Sequence, residues 1–129
     1  MGRFLLICLG GAIGTGARYL TALIAARWLG VEFPYGTLIV NVVGAFVIGF
    51  VQELGTEALV MSDSARLFVT TGMMGGLTTY STFSYETVRL METGAWHHAW
   101  INVVVTTVVC LGLCALGMAA GRGLLMLRG

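Results

Sequence analysis

Four long apolar stretches run along the chain, from about Phe4 to Ala26, Gly36 to Val51, Leu67 to Leu90 and Ala99 to Leu125. A helix that crosses the hydrocarbon core of a bilayer needs about 20 mostly apolar residues. Each stretch therefore predicts a spanning helix. The second is long enough once Gln52 to Leu54 reach toward the interface at its end. The connections are short. Pro34 marks the first, between Trp28 and Gly36. Glu57 to Ser64 forms the second, where Ser62 or Asp63 can accept from the free N–H groups of the third helix. Glu92 to His98 forms the last, with Gly94 as a natural helix stop. Trp28, Trp96 and Trp100 fall near the predicted interfaces, where an amphipathic indole is most at home. The pattern predicts an all-α integral membrane protein with four transmembrane helices, in one domain covering residues 1–129.

The third stretch breaks its own pattern. From Gly72 to Glu86 it reads Gly-Met-Met-Gly-Gly-Leu-Thr-Thr-Tyr-Ser-Thr-Phe-Ser-Tyr-Glu. Glycine is a poor helix former, and Gly75-Gly76 side by side predicts a break in this helix. At membrane depth, broken backbone is tolerated only where protein buries it or where it lines a water-filled cavity. Freed carbonyls at such a break can bind a cation, and freed N–H groups can face an anion. The plainer reading of a single Gly or Ser is close helix packing, with hydroxyls bonding back to their own helix. The density of both residue types here favours the break.

Composition agrees with a membrane protein. Of 129 residues, 57% are hydrophobic and 10% charged, against about 25% charged in an ordinary soluble domain. The net charge is +1 and the chain has no Lys, so nothing suggests a nucleic-acid partner. A phosphate-binding glycine loop ending in Lys is also excluded. Cys8, Cys110 and Cys114 lie in apolar stretches without a metal-site spacing, and read as small buried hydrophobes.

Four spans put both termini on one side, with Arg3, Arg66, Arg122 and Arg128; Arg27 and Arg89 lie on the other. Four arginines against two is a small bias, and it permits insertion in both orientations and an antiparallel pair of inverted copies. Four helices alone have little interior in which to hide the polar third stretch. Small residues such as Gly10, Gly11, Gly14, Gly44 and Gly49 allow close helix contacts. Burial therefore predicts an oligomer, most simply a dimer.

The intramembrane polar residues are candidate functional groups. Arg18, in Gly14-Thr15-Gly16-Ala17-Arg18, either draws anions into a vestibule or snorkels to headgroups. Asn41 can donate two hydrogen bonds, which suits an anion shedding water, or can serve as an interhelical bond. Thr37 is one turn from it on the same face. Tyr80 and Phe83 share a face if the helix resumes there, and aromatic rings carry an electropositive edge. Glu86 lies one turn beyond Phe83. In the fourth stretch Asn102, Thr106 and Cys110 form one stripe, either a hydrogen-bonding track or glue between helices.

These residues together resemble the small bacterial fluoride channels of the Fluc (CrcB) family. The likeness spans nearly the whole chain. Its most specific part is Gly75-Gly76-Leu77-Thr78-Thr79-Tyr80-Ser81-Thr82-Phe83-Ser84, followed by Gly36-Thr37-Leu38 and Val40-Asn41 with Gly44, and then Gly14 with Arg18. The resemblance implies a dual-topology homodimer of antiparallel subunits in the inner membrane, with two pores for passive fluoride exit. It implies a structural sodium ion at the dimer centre, held by backbone carbonyls matching Gly75 and Thr78. It places the pore asparagine at Asn41, the aromatic pair at Tyr80 and Phe83, polar pore neighbours at Ser81, Thr82 and Glu86, and the vestibule arginine at Arg18. Tyr80 departs from the usual Phe by adding a phenol. Thr106 and Cys110 stand where a serine track often runs, and a thiol is a weak donor.

The main rival is a small four-helix proton-coupled multidrug exporter. It would want a carboxylate deep in the first helix for cationic substrates, and the first stretch carries Arg18 and no acid. An enzyme is disfavoured: His97 and His98 lie in the predicted last loop near Glu92, without a nucleophile, base and orienter together.

Overall fold

A computed structural model describes residues 1–57 and 60–129, and every regular element among them is helical. The elements are α1 (Gly2–Leu29), α2 (Tyr35–Leu54), α3 (Asp63–Leu67), a π-helical stretch (Phe68–Met74), α4 (Gly75–Leu77), α5 (Tyr80–Glu92) and α6 (Trp96–Arg128). Three of these, α1, α2 and α6, are long and apolar enough to cross a membrane. Each runs past the limits set by its apolar residues, because helical hydrogen bonding continues into the interfacial residues on either side. Ala58 and Leu59, in the expected second connection, lie outside the described residues.

The ends of the helices follow local chemistry. Gly30 closes α1 at φ 88°, and Gly94 follows α5 at φ 81°, backbone regions that cost an L side chain energy. Ser62, rather than Asp63, caps α3: its hydroxyl accepts from the Ala65 N–H at 3.2 Å. The last connection is shorter than expected. Trp96, His97 and His98 form the first turn of α6, so the two histidines are helical and not in a loop. The turn at Gly94 needs only a few residues. His98 stands edge-on to Phe33, with ring centroids 6.0 Å apart, and this contact helps to fix the start of the helix.

Two close helix pairs build the molecule. In the first, α1 lies against the π-helical stretch and α4. A Cβ on Gly14 would strike the Met73 carbonyl, one on Gly10 would lie 2.7 Å from the Phe68 carbonyl oxygen, and one on Gly76 would strike the Gly11 carbonyl. In the second, α2 lies against α6, where Gly49 meets the Cys114 carbonyl and Gly117 meets the Phe46 carbonyl. Apolar side chains gain little by leaving lipid for protein, so backbone approach at small residues is what such a contact has to offer. Between the pairs sits a small apolar cluster of Val40, Met74 and Leu77, with Val47, Val69 and Met73 packed on it.

The helical path does not break at Gly75-Gly76. Both residues are helical, and Gly76 serves the contact with α1. The chain becomes extended two residues later, at Thr78 (φ −80°, ψ 154°) and Thr79 (φ −155°, ψ 112°). β-Branching alone does not cause this, since Val103 to Val109 is an unbroken run of β-branched residues inside α6. The extended pair is held from outside the helix, by the Asn41 side chain that takes up the Thr79 N–H. Thr79 then caps α5, its hydroxyl accepting from the Thr82 N–H at 3.1 Å.

Candidate functional site

An extended pair inside a helical path removes hydrogen bonds from its neighbours, and the site begins with where those bonds go. In a continuous helix the Gly75 carbonyl would accept from the Thr79 N–H. That N–H donates instead to Asn41 Oδ1 at 2.8 Å. The Thr78 carbonyl would accept from the Thr82 N–H, which donates instead to Thr79 Oγ1. Gly75 and Thr78 thus each have a carbonyl without its helical donor. The Gly76 carbonyl accepts from Arg18 Nε at 3.0 Å, and the Thr79 carbonyl from Asn41 Nδ2 at 3.1 Å. Side chains from α1 and α2 therefore replace two helical bonds lost at the interruption: Asn41 Oδ1 takes up the Thr79 N–H, and Arg18 Nε supplies a donor to the Gly76 carbonyl. The Thr79 carbonyl, as N-cap of α5, gains the Asn41 bond in addition.

Two cavities lie beside this interruption, and Thr79 lines both. The larger, an open groove of about 470 Å³, is lined by Asn41, Thr78, Tyr80, Phe83, Thr106 and Cys110 among others, with Gly75 also on its wall. The Tyr80 and Phe83 rings stand 5.5 Å apart and are tilted by 48°. Phe83 is buried, whereas Tyr80 is 80% exposed and projects from the protomer. The smaller cavity, of about 310 Å³, is lined by Arg18, Thr37, Thr82 and Glu86 together with Thr15. The expected site residues are therefore divided between two adjoining spaces. Ser81 is exposed and lines neither.

A hydroxyl whose proton is already committed cannot donate to an anion, so the direction of each bond matters. Thr37 Oγ1 donates to Glu86 Oε1 at 2.6 Å. Thr106 Oγ1 donates to Asn102 Oδ1 at 3.2 Å. Thr79 Oγ1 donates to Thr82 Oγ1 at 3.0 Å, which leaves the Thr82 proton available. Asn41 keeps its second N–H, because only one is engaged with Thr79. Donors for an anion are thus available at Asn41, Thr82 and the unengaged N–H groups of Arg18, between aromatic ring edges on one side and the Arg18 charge on the other.

Residues 5–118 match the family described as CrcB-like protein, Camphor Resistance (CrcB). The chain belongs to the CrcB family. A relative from Sorangium cellulosum, named fluoride-specific ion channel FluC, is 46% identical over 125 residues, covering 97% of this chain and 98% of the relative. A relative of the same name from Geobacter metallireducens is 48% identical over 118 residues, covering 92% and 95%. One from Clostridium perfringens, also so named, is 42% identical over 118 residues, covering 92% of each. The family match together with the three long apolar helices makes the chain a multi-pass membrane protein.

Sequence reasoning overlooked Thr79 and Thr87. Thr79 lines both cavities and caps α5. It stood only as part of the family-like motif, and a Thr-Thr pair is no signal by itself, because Thr70-Thr71 and Thr106-Thr107 are helical. Thr87 is buried and accepts a hydrogen bond from Asn102, which no spacing within either helix reveals. Asn102 stands in the predicted stripe with Thr106 and Cys110, but it does not line the large groove as they do.

Proposed function

We propose that the protein is a fluoride-selective channel of the inner membrane that lets fluoride leave the cell passively. The observation that carries this reading is the groove beside the Thr78–Thr79 interruption, where Asn41, Tyr80 and Phe83 meet in a chain whose relatives are named fluoride-specific channels. Fluoride is small and strongly hydrated, so a path for it must offer hydrogen-bond donors in place of water. Several moderate sites suit conduction better than one tight site. Fluoride enters a wet vestibule near Arg18 and passes Asn41 and the Thr82 hydroxyl. The Ser81 hydroxyl, exposed in the protomer, joins the path where the second copy covers it. The edges of Tyr80 and Phe83 guide it, while Thr37, Glu86, Thr106 and Cys110 complete the polar wall.

The working unit is an antiparallel homodimer, each subunit a single four-span channel domain, embedded in lipid. In this reading α3, the π-helical stretch, α4 and α5 together make a third, interrupted span. Exposure of Tyr80 and of the open groove supports a second copy as their cover, since polar backbone at membrane depth has to be enclosed. A structural sodium ion belongs at the dimer centre. The Gly75 and Thr78 carbonyls fit it: oxygen donors suit a hard cation, and both lack their helical N–H partners. Such an ion would tie the interrupted backbones of two subunits together.

None of the relatives named above is an exporter of organic cations, and α1 carries Arg18 where that chemistry wants an acid. The cellular test uses a bacterium stripped of its own fluoride export and grown in acid medium containing fluoride. Expression of this chain restores growth if it is a fluoride channel; unrestored growth, with the protein present in the membrane, counts against it.

A further inference from the structure

Helix α5 carries both aromatic rings of the groove, yet only two of its residues are buried, Phe83 and Thr87. They lie one turn apart on the same face. Thr87, 6% exposed, donates through Oγ1 to the Phe83 carbonyl at 2.7 Å. Its oxygen accepts from Asn102 Nδ2 of α6 at 2.9 Å. Asn102 is 1% exposed, and its Oδ1 accepts from Thr106 Oγ1. The bonds run in one direction, from the Thr106 hydroxyl through Asn102 and Thr87 to the backbone at Phe83. Phe83 and Thr106 line the large groove, and the two residues between them do not.

We infer that Asn102, acting through Thr87, is a positioning residue that sets Phe83 in the groove. This inference rests on the fluoride-channel reading above. A buried amide left without partners is costly in an apolar surrounding, so the Asn102–Thr87 bond fixes how α5 is turned against α6. Apolar packing fixes this much less well, since Phe83 is the one apolar side chain that α5 buries, and a single ring resists rotation less than a directional bond of 2.9 Å. The same chain of bonds turns the Thr106 proton away from the groove, so Thr106 is no donor to the anion and what Asn102 contributes is the placing of Phe83. Asn102 thus serves conduction without touching the ion.

The test compares Thr87→Val, Thr87→Ser and Asn102→Leu in the full-length protein in liposomes, reading fluoride efflux and the ratio of fluoride to chloride efflux. Thr87→Val keeps the shape and removes the hydroxyl; it is expected to slow fluoride roughly tenfold, the scale set by one hydrogen bond, and to lower the ratio. Asn102→Leu is expected to do the same, and the double variant to be no worse than either, as coupled residues require. Thr87→Ser restores the hydroxyl and is expected to restore flux. The inference is overturned if folded Thr87→Val matches wild type in flux and ratio, if Thr87→Ser loses as much as Thr87→Val, or if the losses from Thr87→Val and Asn102→Leu simply add. Should Asn102→Leu not fold, the two Thr87 variants decide alone. Wild-type protein in the same liposomes separates the two claims. If it carries no fluoride, both fall; if it carries fluoride while Thr87→Val is unchanged, only the inference falls.

Discussion

Asn41 and Thr79 exchange a pair of hydrogen bonds across the point where the helical path stops. The Thr79 N–H donates to Asn41 Oδ1 at 2.8 Å, and Asn41 Nδ2 donates to the Thr79 carbonyl at 3.1 Å. Asn41 Oδ1 thus takes up the N–H that the Gly75 carbonyl would hold in a continuous helix, its Nδ2 adds a second bond at the Thr79 carbonyl, and one N–H remains for a passing ion. Asn41 is therefore both a brace and a donor, and its substitution is expected to act on both.

Asn41→Asp keeps the acceptor for the Thr79 N–H and loses the donor to its carbonyl. It also adds negative charge beside the proposed anion path when ionised. Fluoride flux is expected to fall by at least ~100-fold, because a like charge a few ångströms away costs several kcal/mol in a site of low dielectric. The lost donor alone costs about 1–3 kcal/mol. Efflux from liposomes and elution of the protein in detergent measure the two effects separately. Retained flux in Asn41→Asp would count against the pore role.

The groove aromatics make a different prediction. Tyr80→Phe keeps the ring edge and removes the phenol, whereas Tyr80→Leu removes the edge. If the edge is what fluoride meets, Tyr80→Leu is expected to conduct roughly tenfold more slowly than Tyr80→Phe, the scale of one aromatic contact. Equal flux in the two variants would assign Tyr80 to packing between subunits.

Gly75 reports on the proposed dimer centre. A Cβ there meets nothing within 4 Å in the protomer, so a larger side chain fits the isolated subunit. Gly75→Val is therefore expected to spare the protomer and to disturb assembly through the central cation site. Size-exclusion chromatography in detergent, with cross-linking, reads the subunit state. An unchanged dimer would remove the Gly75 carbonyl from the sodium site.

Gly14 tests the helix pairing itself. A Cβ at Gly14 runs into the Met73 carbonyl, while one at Gly16 meets nothing within 4 Å. Gly14→Ala is expected to destabilise by about 1–3 kcal/mol through overpacking. Gly16→Ala is expected to be neutral, or to stabilise by up to about 1 kcal/mol through helix propensity. Thermal melting in detergent distinguishes them; equal melting temperatures would contradict the close contact.

The long apolar helices were legible because twenty apolar residues leave a chain few choices in a bilayer. The position of the interruption was not. Gly75-Gly76 carried the visible signal, but those glycines stay helical and Gly76 serves the approach of α1, while extended backbone falls to the two threonines that follow. Asn41, Tyr80 and Phe83 were legible as a set only through likeness to a family. Their meeting in one groove depends on α2 and α5 packing together, and no spacing within one helix encodes it. Arg18 bonding the Gly76 carbonyl and Asn102 bonding Thr87 are long-range choices of the same kind. His97 and His98 were misplaced in a loop because Gly94 ends one helix and the next begins almost at once.

Fluoride efflux from liposomes holding the purified protein tests the central claim most directly, with chloride as comparison and a potassium ionophore as the switch. A passive anion channel moves net charge, so fluoride leaves quickly only once the ionophore lets potassium follow. The account predicts fast, ionophore-dependent fluoride loss without chloride loss. No loss of either anion from folded protein, or equal loss of both, would contradict it.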